Sequence, residues 1–272
     1  MAFELSEIRH VVLDMDGTIY LGEKMFAPTL PFLSLLTELG IGSTFITNNC
    51  SRSRGEYVER LRGMGIDVLP DAVMTSAQAT THYLQEHLPD VRRLFVLGTV
   101  GLCVDLREAG FEIVDERPQA VIVGFDTNLT YDRLARTGYW IAQQLPYLAT
   151  HPDRVCPTDR PIVLPDCGAI CALLESATGR RPEAVPGKPS PAMLQAVMAR
   201  HGLAANEIAM VGDRLYTDIR MARDAGALAV LTLTGETRRG DIERTAEREH
   251  PDLVVRDLQE LAELLRNRHG RT

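Results

Sequence analysis

Short wholly apolar runs alternate with longer stretches of helical spacing over most of this chain. Val11 to Leu13 is such a run and ends in Asp14-Met15-Asp16-Gly17, the pattern of a buried strand that delivers polar residues at its carboxyl end. Pro28 to Leu39 then carries apolar residues at helical spacing and stops at Gly40. Ser43 to Ile46 is a second strand, ending in Thr47-Asn48-Asn49, and a helix from about Ser53 to Met64 is closed by Gly65. The same alternation returns toward the other end. Pro191 to His201 reads as helix, Ile208 to Val211 as a strand running into Gly212-Asp213-Arg214, Thr217 to Asp224 as a helix stopped by Gly226, and Ala227 to Leu233 as a strand. Leu253 to Val255 and Leu258 to Leu265 repeat the pair. Buried strands alternating with amphipathic helices predict an α/β fold, a doubly wound parallel sheet covered by helices.

Between these blocks lies a region with its own strands, at Leu94 to Leu97, Ala120 to Val123 and Tyr147 to Ala149, and helices around Gly101 to Ala109 and Tyr131 to Gln144. That is enough for a separate inserted α/β module. The expected organisation is a core domain of residues 1–77 and 182–272 and an insert of residues 78–181, with hinges at Ser76-Ala77-Gln78 and Gly179-Arg180-Arg181-Pro182. In open parallel sheets, ligands sit beyond the carboxyl ends of the strands at a topological switch point. The segments of Asp14, Thr47 and Asp213 all fall at such ends.

Composition narrows the functions available. A length of 272 residues with 45% hydrophobic side chains allows one large domain or two ordinary ones. The formal charge of -8 argues against a broad nucleic-acid-binding face, while a local pocket for a small anion is still allowed. No stretch approaches the roughly 20 apolar residues that span a bilayer, and MAFELSEIRH lacks a basic region followed by an apolar run, so a chain that is neither exported nor membrane-bound is expected. Five scattered cysteines make a poor disulfide framework and fit a reducing cytoplasm.

If Asp14, Asp16, Asp213 and Asp218 meet at one sheet edge, their like charges repel unless protons or a cation compensate them. An aspartate-rich site without clustered His or Cys matches the preference of magnesium for carboxylates, waters and substrate phosphate oxygens. Asp14 is then a candidate nucleophile, since a carboxylate can form an acyl-phosphate and divide one hard hydrolysis into two displacements. Asp16, two residues along the strand and on the same side, is a candidate acid and base. Thr47 offers a hydroxyl and Lys188 a compact positive charge, and both could stabilise a transferring phosphoryl group.

DMDGT at Asp14 to Thr18, TNN at Thr47 to Asn49, GKP at Gly187 to Pro189 and GDRLYTD at Gly212 to Asp218 resemble, in order, the four motifs of the haloacid dehalogenase-like superfamily. The large insertion between the second and third motifs, together with TNN, is similar to the class IIA, NagD-like phosphatases. The resemblance covers nearly the whole chain and implies a Rossmannoid core with an inserted cap that selects substrate. It implies that Asp14 is the nucleophile, that Asp16 is the acid and base and lends a backbone carbonyl to magnesium, and that Asp213 is the remaining protein ligand, giving a metal set of Asp14, Asp16 and Asp213. Thr47, Asn48 and Lys188 would hold the phosphate. Asp218, Gly17 and Asn49 would support the site, Gly17 and Thr18 by shaping the turn into a flap at Ile19 to Phe26. The substrate implied is a small phosphorylated metabolite, a sugar phosphate, phosphoglycolate, nucleotide monophosphate, pyridoxal phosphate or aryl phosphate, and the resemblance further implies dimerisation through the cap.

The second aspartate favours a phosphatase over a dehalogenase, which lacks it, and the absence of lysine from Gln78 to Arg181 counts against a phosphonatase with a cap Schiff base. Two alternatives stay open: a receiver-like phospho-acceptor switch without enzymatic function, and a phosphosugar mutase. His151-Pro152-Asp153-Arg154 resembles an Asn-Pro-Asp stretch that faces the site in this family, with His in place of Asn. His151 and Asp153 are therefore candidates for substrate contact, with a structural turn as the competing reading. His82 and His87 read as surface or packing residues, and Cys167 and Cys171 as small buried apolar residues rather than a zinc site. Cys50, beside the phosphate motif, reads as a packing residue with oxidation as the rival. Gly98-Thr99-Val100-Gly101 reads as a turn entering a helix.

Overall fold

The computed structural model describes residues 4–158 and 161–269. The chain divides into two compact units, one of Met1–Ile46, Arg62–Val68 and Pro189–Thr272, the other of Thr47–Leu61 and Leu69–Lys188.

In the first unit five strands pair in parallel in the order Leu253–Val255, Leu228–Thr232, Ile208–Gly212, His10–Asp14 and Gly42–Thr47. His10–Asp14, Ile208–Gly212 and Leu228–Thr232 are buried along their whole length, which is why they read as unbroken apolar runs rather than alternating ones. From His10–Asp14 the chain steps one way to Gly42–Thr47, while Ile208–Gly212, on the other side, opens the series that steps the opposite way. The reversal leaves a switch point at the carboxyl ends of these two strands, where Asp14 and Asp213 lie. Helices Thr29–Glu38 and Leu258–His269 pack against each other, as do Ala192–His201 and Arg220–Ala225. The expected helix over Thr217 to Asp224 is instead a π-helical turn, Leu215–Ile219, followed by Arg220–Ala225. Arg214 causes the difference: its carbonyl accepts from both Asp218 and Ile219, while its N–H donates to Asp218 Oδ2 at 3.1 Å. Such wide turns favour functional positions.

His10 opens the first strand and is buried, its Nε2 2.9 Å from Thr44 Oγ1 and its ring 4.4 Å from that of His201. Burial, with His201 adding to it, pushes the His10 pKa down from 6.5 to about 4. A base depressed in the fold stays neutral there and gains a proton on unfolding, so its stabilisation is complete above pH 6.5 and is lost as pH falls toward about 4. Up to about 3 kcal/mol should be lost across that window. Denaturant melts of His10→Gln should show a shallower pH slope there than the wild type, and equal slopes would refute the assignment.

The second unit carries a smaller parallel sheet in the order Glu112–Ile113, Arg93–Leu97, Ala120–Val123 and Tyr147–Ala149. Alternate side chains serve two cores. Leu94, Val96, Ala120, Ile122 and Leu148 face helices Ser76–His87 and Val100–Glu108, whereas Phe95, Leu97, Val121, Val123, Tyr147 and Ala149 pack with Ile141, Ile170 and Leu174 of helices Tyr131–Ala142 and Cys167–Thr178. Cys167 and Cys171 belong to this second core, and Cys50 to the first. Ser76-Ala77-Gln78, expected as a hinge, is the first turn of a helix. A capping box fixes it, in which Thr75 Oγ1 accepts from the helix and Gln78 Oε1 accepts the Thr75 N–H at 2.9 Å. Gly98 to Gly101 is the expected turn into a helix, and Gly101 abuts the backbone of Arg52 and Ser53 closely enough to exclude any side chain.

Candidate active site

Two polar centres hold nearly all the residues singled out from the sequence, one in each unit. In the first, Asp14 is the last residue of its strand, one residue beyond Leu13, and Asp213 follows the end of the neighbouring strand, two residues beyond Val211, the register partner of Leu13. The π-helical turn brings Asp218 to the same place. Carboxylate oxygens of Asp14, Asp213 and Asp218 lie within 4.8 Å of one another, and all three residues are buried. At an effective dielectric near 20 each such pair repels by roughly 3 kcal/mol, so the group favours a bound cation. Three oxygen donors and no sulfur or imidazole fit a hard divalent ion such as magnesium. Asp16 is not one of these three carboxylates. It is half-buried and bridges through its backbone to Tyr20 at the start of a hairpin, Tyr20–Leu21 with Lys24–Met25, where the flap was expected.

The surrounding backbone is shaped for Asp213. Gly17 has φ +89°, donates to the Tyr20 carbonyl at 2.7 Å and lies so near that a Cβ would fall 2.5 Å from Asp213 Oδ2. Gly235 presses on the same carboxylate, and the Glu236 N–H donates to its Oδ2 at 2.6 Å. Thr234 Oγ1 donates to the Gly17 carbonyl at 2.6 Å, tying the two loops together. The Thr18 hydroxyl donates to Asp14 Oδ2 at 3.4 Å.

In the second unit Thr47 closes its strand, whose penultimate residue, Ile46, is the register partner of Asp14. Thr47 Oγ1 accepts the Asn49 N–H at 3.0 Å and Asn49 Oδ1 accepts the Ser51 N–H at 2.9 Å, two side-chain turns that fold the TNN segment on itself. Asn48 joins this segment to Lys188 and Asp153, and all three are buried. His151 is fully buried. Its Nε2 lies 2.9 Å from Asp166 Oδ1 and its Nδ1 2.8 Å from Thr150 Oγ1 and 3.5 Å from Ser76 Oγ. Burial alone would lower the His151 pKa, but the Asp166 carboxylate outweighs it and holds the imidazole protonated well above its ordinary range. Burial likewise opposes ionisation of Cys50, yet the neighbouring His151 and Thr150 bring its thiol below the usual value.

Ser76, Thr150 and Asp166 were missed in the sequence. Asp166 had a usable signal, since Pro-Asp before an apolar helix marks an N-cap, and its Oδ1 accepts the Cys167 N–H. Ser76 was hidden by the hinge assignment.

Known proteins resemble this chain over most of its length. Residues 11–112 match the haloacid dehalogenase-like hydrolase family and residues 185–261 the HAD-hydrolase-like family. The acid sugar phosphatase of Staphylococcus aureus is 33% identical over 262 residues, covering 96% of this chain and 99% of its own. A crystal structure of 4-nitrophenylphosphatase from Thermotoga maritima superposes with a TM-score of 0.90 at 40% identity, over 95% of this chain and 98% of that one. Glycerol phosphate phosphatase from Mycobacterium tuberculosis, in complex with magnesium, gives 0.87 at 31% identity, over 97% of this chain and 80% of that one. The chain belongs to the haloacid dehalogenase-like hydrolases. Within them it is a phosphoric monoester hydrolase of the class IIA, NagD-like kind. The receiver-like alternative is thereby set aside.

Proposed function

We propose that the protein is a magnesium-dependent phosphatase acting on small phosphomonoesters of polyhydroxylated metabolites through an aspartyl-phosphate. The observation that carries this is the buried group of Asp14, Asp213 and Asp218 at the switch point of the sheet. The relatives named acid sugar phosphatase and glycerol phosphate phosphatase support the substrate class. Magnesium, held by Asp14, Asp213 and the Asp16 backbone with Asp218 in support, would offset negative charge on the phosphoryl oxygens.

Asp14 attacks phosphorus, forming a carboxylate O–P bond as the ester P–O bond breaks. Asp16 gives its proton to the departing alkoxide oxygen and then takes one from the water that cleaves the aspartyl-phosphate. Thr47 and Lys188 hold the phosphoryl oxygens during both displacements. Residues 78–181 act as the cap that selects the leaving group, since the core residues engage only the phosphate common to every candidate. His151 is enclosed by Asp166, Thr150 and Ser76, which favours a structural role for it over leaving-group contact. Five cysteines scattered along the chain support a reducing, cytoplasmic setting.

The test is a screen of purified protein against phosphomonoesters with and without magnesium. Inorganic phosphate should appear from sugar or polyol phosphates only when the metal is present. Release from none of them, or transfer to another hydroxyl as in a mutase, would overturn the reading.

A further inference from the structure

The Asn48 side chain, read from the sequence as a phosphate ligand, is engaged elsewhere. Its Oδ1 accepts the Lys188 N–H at 2.8 Å, while its Nδ2 donates to the Lys188 carbonyl at 3.0 Å and to Asp153 Oδ2 at 3.2 Å. These partners fix the orientation of the amide, because an N–H requires its oxygen and a carbonyl and a carboxylate require its NH2 group. Both amide hydrogens are thus committed, and none is left for a phosphate oxygen. The Asn48 backbone is held in turn, its carbonyl accepting the Ser76 hydroxyl at 2.6 Å.

One side chain therefore grips the backbone of a single residue 140 positions away from both sides of its Cα. The gripped segment is shaped to receive it. Gly187 donates to the Thr150 carbonyl at 2.9 Å, and a Cβ there would overlap that carbonyl and come within 2.8 Å of Asn48 Oδ1. Of the 29 lysines and arginines only Lys24 and Lys188 are lysines, and Lys188 is 3% exposed. A lysine is a point charge on a flexible stem, so the placement of its ammonium depends on how firmly its root is held. Misplacement by about 1 Å can cost on the order of a hundredfold in rate.

We propose that the Asn48 side chain is a positioning group for Lys188, clamping its backbone and linking it to Asp153, and that this side chain does not itself bind phosphate. This rests on the reading of Lys188 as the cation that holds the phosphoryl group. If Asn48 acts only through Lys188, its loss matters only while the lysine is present.

The test is a double-mutant cycle in kcat/KM, with thermal melts to establish that each variant folds. Asn48→Ala should lower kcat/KM by roughly 30- to 100-fold beside Lys188 and by less than about 3-fold beside Lys188→Met. Asn48→Ser, whose hydroxyl can replace one of these hydrogen bonds but not all three, should fall between the wild type and Asn48→Ala. It also serves if Asn48→Ala does not fold. Equal losses in both lysine backgrounds would mean that Asn48 touches the phosphate and would overturn the proposal.

A second measurement needs no activity, so failure of the clamp and failure of the phosphatase reading are distinguishable. In full-length protein labelled with 13C at lysine Cε, only two signals arise, assigned with Lys24→Arg. Asn48→Ala and Asn48→Ser should move and sharpen the Lys188 signal and leave Lys24 unchanged. A Lys188 signal identical to that of the wild type would refute the clamp whatever the substrate screen finds.

Discussion

Asp14→Asn is expected to lower kcat by at least about 10⁴-fold while leaving the fold intact. Asparagine matches aspartate in size, and the site, at the buried end of a strand paired on both sides, accepts that shape. The amide oxygen can still accept the Thr18 hydroxyl that reaches Asp14 Oδ2. An amide, however, has no anionic oxygen with which to attack phosphorus. Removing one of three buried carboxylates within 4.8 Å also relieves repulsion, so the variant without metal should melt at the same temperature as the wild type or higher. An inactive but equally stable variant separates loss of the nucleophile from loss of structure. Steady-state kinetics in which Asp14→Asn keeps more than about 1% of wild-type kcat would remove Asp14 from that role.

The parts of the site legible in the sequence are those governed by strand endings. An apolar run followed at once by Asp-x-Asp-Gly or Gly-Asp shows both the strand and the direction in which its end delivers side chains. The sequence alone therefore assigns Asp14 and Asp213 to one sheet edge. The paired apolar runs of the inserted region were readable for the same reason, because helices cover both faces of its sheet. Contacts closing over long separations were not readable. Nothing local to Asn48 announces that its amide is consumed by Lys188 and Asp153, and the composition of TNN fits a phosphate ligand equally well. The turn at Leu215–Ile219 was missed because helical periodicity does not register one extra residue in a turn, although that residue is what brings Asp218 beside Asp14 and Asp213. The helix start at Ser76 escaped notice for a different reason: small polar residues suit a loop, but Thr75 and Gln78 at capping-box spacing specify a helix start.

Removal of divalent metal should have the second large effect, and its sign differs between activity and stability in a way that tests the carboxylate group directly. Chelation should reduce phosphate release by at least about 10²-fold, restored by magnesium, because the charge on the phosphoryl oxygens would then go unmatched. In the wild type, magnesium at about a hundred times its dissociation constant should stabilise the fold by about 2.7 kcal/mol through binding to the native state alone, read as a melting temperature higher by several degrees. Asp213→Asn should show the reverse pattern. It keeps an oxygen to accept the Glu236 N–H, now 2.6 Å from Oδ2, and it removes one negative charge from the group. Without metal it should therefore melt no lower than the wild type, while the rise on adding magnesium largely disappears along with activity. If Asp213→Asn were instead stabilised by magnesium as much as the wild type, the ion would be bound elsewhere.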